Sequence, residues 1–137
     1  MAQWLMKSEP EAYSWDDLVR EGKTGWNGVR NHQASNNMKA MKKGERAFFY
    51  HSVEEKRIVG LMAVSKTYMP DPTDTEGKWG MVEVKPIRAV PRPVTLAEIK
   101  AEPRLKNLLL VRQSRLSVVP VGDAEWTILC RMAGLDP

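Results

Sequence analysis

Ile58-Val59-Gly60-Leu61-Met62-Ala63-Val64 is apolar at odd and even positions alike. Successive side chains of a strand point to opposite faces, so a strand of this composition must be covered on both. A closed barrel carrying helices outside supplies that cover. Upstream, Arg46-Ala47-Phe48-Phe49-Tyr50-His51 reads as a second deep strand, aromatic on both faces and joined to the first through the charged turn Glu54-Glu55-Lys56. Downstream, Pro70-Asp71-Pro72-Thr73-Asp74-Thr75-Glu76-Gly77 is a plain loop signal. Trp79 to Val90 then returns to strand character, with Val82 and Val84 alternating against Glu83 and Lys85.

Further out, Gln3 to Lys7 is a short buried strand stopped at Ser8-Glu9-Pro10, and a strand-like tail runs through Leu116–Val119. The strands Gln3–Lys7, Arg46–His51, Ile58–Lys66, Trp79–Val90 and Leu116–Val119 are expected to close into one barrel. Helices lie between them. Ser14 caps a short one that Gly22 stops, and Ala34 to Lys43 carries Met38 and Met41 as a core stripe. Thr95-Leu96-Ala97-Glu98 is a capping box whose helix ends before Pro103. Leu105 to Val111 is helix or core loop, and Asp123 caps a last amphipathic helix through Trp126, Leu129 and Ala133. The class is α+β, in a single domain over residues 1–137 with no internal repeat.

Composition narrows the functional classes. No apolar run approaches the roughly 18 residues of a membrane span, so no membrane partner is expected. With no basic leader ahead of Trp4, the chain is expected to stay in the cytoplasm, as a monomer. Cys130, the only cysteine, lies in an apolar helical pattern and reads as a buried inert thiol. His32 and His51 stand far apart without Cys or carboxylate at ligand spacing, so neither a metal nor a cofactor is expected. His51-Ser52 is no hydrolase pair, because strand neighbours face opposite ways. The formal charge of +4 mildly favours an anionic partner.

The stretch Trp26-Asn27-Gly28-Val29-Arg30-Asn31-His32-Gln33-Ala34 carries the chemistry of a nucleobase site. Trp26 offers a face for stacking, Asn27, Asn31 and Gln33 offer amides that read a base edge, and Arg30 is a fixed cation. The competing reading is a polar loop whose tryptophan plugs the core and whose Asn31 caps the next helix. Lys39, Lys42 and Lys43, with Arg112, are candidate phosphate contacts or simply a solvated face. Lys7 and Glu9 are two apart, as an acid-base pair or a surface salt bridge.

Trp4-Leu5-Met6-Lys7-Ser8-Glu9-Pro10, the Trp26–Ala34 stretch, Phe48-Phe49-Tyr50-His51-Ser52 and Arg115-Leu116-Ser117-Val118-Val119-Pro120-Val121 together resemble the EVE domain family. The resemblance spans almost the whole chain. It implies a PUA-like barrel, closed or nearly closed, of five to six strands with peripheral helices, related to YTH domains. The implied activity is non-enzymatic binding of a modified nucleobase, modified cytosine above all, in DNA or RNA through an aromatic-lined pocket. It places Trp26 on the pocket wall and Ser8, Arg30, Asn31, Tyr50, His51, Ser52, Arg115 and Ser117 around its mouth. Three positions depart from the family pattern: His32 and Met69 stand where tyrosine is usual, and Ser35 where arginine is common. The first two of these in chain order, His32 and Ser35, adjoin the implied pocket. Some PUA-like relatives resemble amidohydrolases that use a lysine and a glutamate, which makes a hydrolase of modified nucleosides the alternative. A protein-interaction module, with an exposed apolar patch, is the third.

Overall fold

The computed structural model describes residues 1–137. It is an α+β structure built on one six-stranded sheet: β1 (Gln3–Ser8), β2 (Thr24–Gly25), β3 (Arg46–His51), β4 (Arg57–Pro70), β5 (Gly80–Thr95) and β6 (Val118–Val121), in the spatial order β2-β5-β4-β3-β1-β6. β2 and β6 are edges, so the sheet is not closed. The expected closure into one barrel is therefore corrected. What the apolar run required was cover on both faces, and Ile58 and Gly60–Val64 are indeed buried. The helices provide that cover without ring closure: α1 (Trp15–Glu21), α2 (His32–Ala40), α3 (Leu96–Ala101), α4 (Leu109–Arg112) and α5 (Asp123–Met132). Gly60 shows how tightly they do so, because a Cβ there would run into the Trp15 ring of α1.

β1 and β3 are parallel, in register from Gln3 opposite Arg46 to Ser8 opposite His51, while β6 lies antiparallel on the other edge of β1. The C-terminal ends of β1 and β3 thus open side by side. The core runs on both sides of β3: Trp15 and Trp26 meet Phe49 edge-on at 5.7 and 5.3 Å, and Trp126 of α5 stacks on Phe48 at 4.2 Å. Cys130 is buried, and its thiol is pushed up by that burial.

Several boundaries differ from expectation for local reasons. β4 and β5 run well past Lys66 and Val90, because register shifts bend this long ribbon and leave unpaired positions that tolerate Pro91 and Pro93. The final strand begins two residues later than expected, and its Pro120 is accommodated on an edge. Leu105–Val111 resolves into a 3-10 turn at Pro103–Leu105 followed by α4. Asp123 does not cap α5: Gly122 is the N-cap, and Asp123 begins the helix. Ser14, with Asp17, and Thr95, with Glu98, do form capping boxes.

Candidate nucleic-acid interface

Three larger clefts surround the open end of β1, beside a small acidic one of about 50 Å³ between Glu9, Glu11, Ser52 and Glu54. The first, about 470 Å³, is lined by Trp26, Asn27, Lys7, Ser8, Tyr13 and Glu21 among others. Its size suits a small ligand. The second, about 590 Å³, holds Lys7, Tyr50, Ser52, Lys56, Lys100 and Arg115, with Glu9 as its one acid. The third, about 330 Å³, joins Asn31 and Gln33 to Arg112 and Arg115. Lys7 belongs to the first two and Arg115 to the last two, so the clefts form a chain.

The residues expected around one mouth are thereby divided. Side chains of adjacent strand residues face opposite ways, and Phe49, on the Trp26 side of β3, is followed by Tyr50 on the other. Trp26 and Tyr50 therefore wall different clefts. Burial pushes the Tyr50 hydroxyl up to about 12. Ser8 reaches the first cleft, with its Oγ donating to the Tyr13 carbonyl at 2.6 Å. His51 lines none of the three. Its Nε2 accepts the Trp15 backbone N–H at 3.0 Å, and its Nδ1 bonds Glu55 at 3.0 Å, a pairing that assigns the proton to Nδ1. Ser117 also stays outside, offering its carbonyl to the Lys7 backbone N–H.

Asn31 caps α2, its Oδ1 accepting the Ala34 N–H at 2.9 Å. That leaves the amide nitrogen for the third cleft. Arg30 lines none of the clefts at the end of β1. Its Nη1 donates to Asp71 Oδ2 at 3.1 Å and its Nη2 to Thr73 Oγ1 at 3.1 Å. Asp71 also takes the Gly28 N–H at 2.8 Å, so the turn before α2 is clasped to the end of β4. Gly28 sits at φ 81, in the left-handed region where a side chain would be strained. Lys42 and Lys43 precede β3, at the far end of the parallel pair from Ser8, about 20 Å away at roughly 3.3 Å per strand residue. There Glu45, buried, accepts the Lys42 and Ala2 backbone N–H groups and the Trp4 indole.

The chain matches the EVE domain over residues 2–132. It belongs to the EVE domain family. A protein of known structure from Agrobacterium tumefaciens is 45% identical to this EVE domain, with a TM-score of 0.95 over 98% of this chain and 94% of that one. Human thymocyte nuclear protein 1 is 37% identical over 99% of this chain and 76% of its own length. A crystal structure of human THYN1 in complex with DNA containing 5-methylcytosine superposes with a TM-score of 0.92 at 36% identity, covering all of both chains. The YTH domain of Zygosaccharomyces rouxii MRB1, 15% identical, shares the fold with a TM-score of 0.61 over 99% of this chain and 88% of that one. The human relative is named a nuclear protein, which gives the cytoplasmic expectation no support. No helix of this EVE domain is long and apolar enough to cross a membrane.

Sequence reasoning set Lys7 at a strand mouth and weighed it as a partner for Glu9, a pair that does not form. Its Nζ donates instead to the Ser114 carbonyl at 2.9 Å and lies 6.0 Å from the Tyr50 ring centroid. Burial pushes the Lys7 ammonium below the ordinary lysine range. An ammonium has three donors, so two remain for the clefts on either side. A lysine closing an otherwise apolar buried strand was the available signal. Tyr13 and Asp71 were missed as well. Tyr13 donates to Glu21 at 2.7 Å on the rim of the first cleft; burial, with Glu21 beside it, pushes its hydroxyl up to about 12. The family departures His32, Ser35 and Met69 do not touch this cleft; they lie along α2 and the end of β4.

Proposed function

We propose that this EVE domain is a non-enzymatic reader of a modified base, of the modified-cytosine class, in DNA or RNA. The observation that carries the reading is the Lys7 ammonium, half-buried and without a carboxylate, between the Trp26 cleft and a basic one. The THYN1 complex with 5-methylcytosine DNA supports it. The open sheet is consistent with a PUA-like fold. The base enters the first cleft against Trp26, where Asn27, Ser8 and the free Lys7 donors meet its edge. The strand continues past Tyr50, Ser52, Arg115, Asn31 and Arg112 on the rim. His51 and Ser117 are left to the scaffold, and Arg30 to positioning the turn. A methyl or hydroxymethyl group is worth about 1–3 kcal/mol of discrimination, and stacking about as much again without regard to base identity. Polar edge contacts must therefore do the selecting.

A panel of methylated, hydroxymethylated and plain cytidines, titrated against tryptophan fluorescence, tests the reading. Lys7→Gln is expected to weaken the modified nucleoside by about 1.5–3 kcal/mol, the worth of a hydrogen bond from a charged group. Product accumulating beyond one equivalent, and lost in Lys7→Gln, would favour a hydrolase.

Salt separates the rim from the far end. Oligonucleotide affinity is expected to fall with log salt at a slope of about −0.7 to −0.9 per phosphate contact. Arg112→Ala with Arg115→Ala flattens it by about two contacts, whereas Lys42→Glu with Lys43→Glu leaves it near wild type. The reverse result would move the strand to the other end of the sheet.

A further inference from the structure

Away from the clefts at the end of β1, Lys39, Tyr68, Met69, Lys78 and Trp79 bound a groove of about 240 Å³ where β4 turns into β5. Its lining includes no acid. The His32 imidazole lies on the Trp79 indole with centroids 4.8 Å apart and planes tilted 35°. The Lys39 ammonium sits 5.5 Å over the Tyr68 ring, whose hydroxyl shares a 2.8 Å hydrogen bond with Ser35. Gly80 permits this, since a Cβ there would collide with the Tyr68 ring. Lys39 has no carboxylate partner; Lys78 meets Glu76 at 3.4 Å, but the two side chains are 71% and 70% exposed, a pairing worth little.

We propose that this groove is a second stacking platform, which holds an unpaired base of the same nucleic-acid strand while Lys39 meets its phosphate. Flat rings of Trp79, Tyr68 and His32 beside an unpaired ammonium suit a nucleobase with its phosphate and reject an acidic peptide segment only by stacking, so aromatic contact is the discriminating feature. Placement fits a continuous strand. Asn31 and Gln33 line the third cleft with Arg112 and Arg115, while Lys39 of the same helix lines the groove and His32 lies on its Trp79. The Trp26–Arg30 turn is clasped by Asp71 to the groove's own ribbon. The proposal rests on the strand-binding reading above, though not on which base the Trp26 cleft selects.

Single-stranded hexamers carrying one 5-methylcytosine, in deoxy and ribo forms, are titrated by anisotropy against wild type, Trp79→Ala and Lys39→Ala, beside the free nucleoside. Trp79→Ala is expected to weaken the hexamer about tenfold and to leave the nucleoside unchanged. Abasic residues in place of the flanking nucleotides cost wild type a similar factor, and Trp79→Ala nothing further. Lys39→Ala removes about one contact from the salt slope. Equal loss on abasic flanks in wild type and Trp79→Ala overturns the platform. Should Trp79→Ala melt early, an unchanged salt slope in the exposed Lys39→Ala variant overturns it instead. A hexamer weakened about tenfold by Trp79→Ala while the nucleoside binds no protein strikes the Trp26 cleft alone; a hexamer that binds all three proteins equally overturns the platform, and one that fails with wild type removes both readings.

Discussion

Trp26→Ala is expected to lower the melting temperature by about 10–20 °C and to remove nucleoside binding at temperatures where the variant is still folded. The side chain is only 7% exposed and packs edge-on against Phe49 in the core, so truncation leaves a cavity worth about 3–5 kcal/mol. In a chain of 137 residues each kcal/mol moves the midpoint by roughly 3–5 °C. The two readings of this tryptophan, core plug and base wall, are not exclusive: the ring packs at nearly right angles to Phe49 and also lines the first cleft. Trp26→Phe tells them apart. It keeps an aromatic partner for Phe49 and should restore most of the stability while binding recovers only in part. If Trp26→Phe binds the nucleoside as tightly as wild type, the wide indole face is not the stacking wall.

How far the chain could be read without coordinates follows from the range of each interaction. Ser14, Thr95 and Asn31 cap their helices through residues three positions on, and such local bonds were legible or half-legible. The double-sided apolar strand was legible too, since parity is a sequence property. Closure was not, because helices satisfy the same pattern as a ring of strands. The site went wrong by an omission. Strand alternation, applied to His51 and Ser52, equally separates Tyr50 from His51 and Phe49, and so divides one imagined mouth into two clefts. Lys7 and Asp71 escaped notice because their partners lie far along the chain: the Ser114 carbonyl for the first, Gly28 and Arg30 for the second. No spacing rule reports a bond across more than forty residues.

Asp71 makes that last point measurable. Its side chain is 0% exposed, and burial alone would push the carboxyl up. The hydrogen bonds from Thr73, Gly28 and Arg30 outweigh burial and hold it down at about 2, against an ordinary 3.8. A group whose folded value is depressed contributes stability above its unfolded value and loses it as pH falls through the folded one. The contribution, about 2 kcal/mol, is therefore present above pH about 4 and gone below about 2. Asp71→Asn removes the charge and keeps the shape, so urea unfolding at neutral pH should show a deficit of about 2–3 kcal/mol. That deficit should shrink as both proteins are taken to acid. Glu45 and Glu98, also held low by partners other than Arg30, titrate in both proteins and cancel in the difference. Because Gly28 and Arg30 would lose their anchor, the variant should also bind the modified nucleoside more weakly in neutral buffer, well below its melting point. A deficit that stays constant from pH 7 to pH 2 would mean that the carboxylate's charge does not hold the Trp26–Arg30 turn, and that its packing alone does.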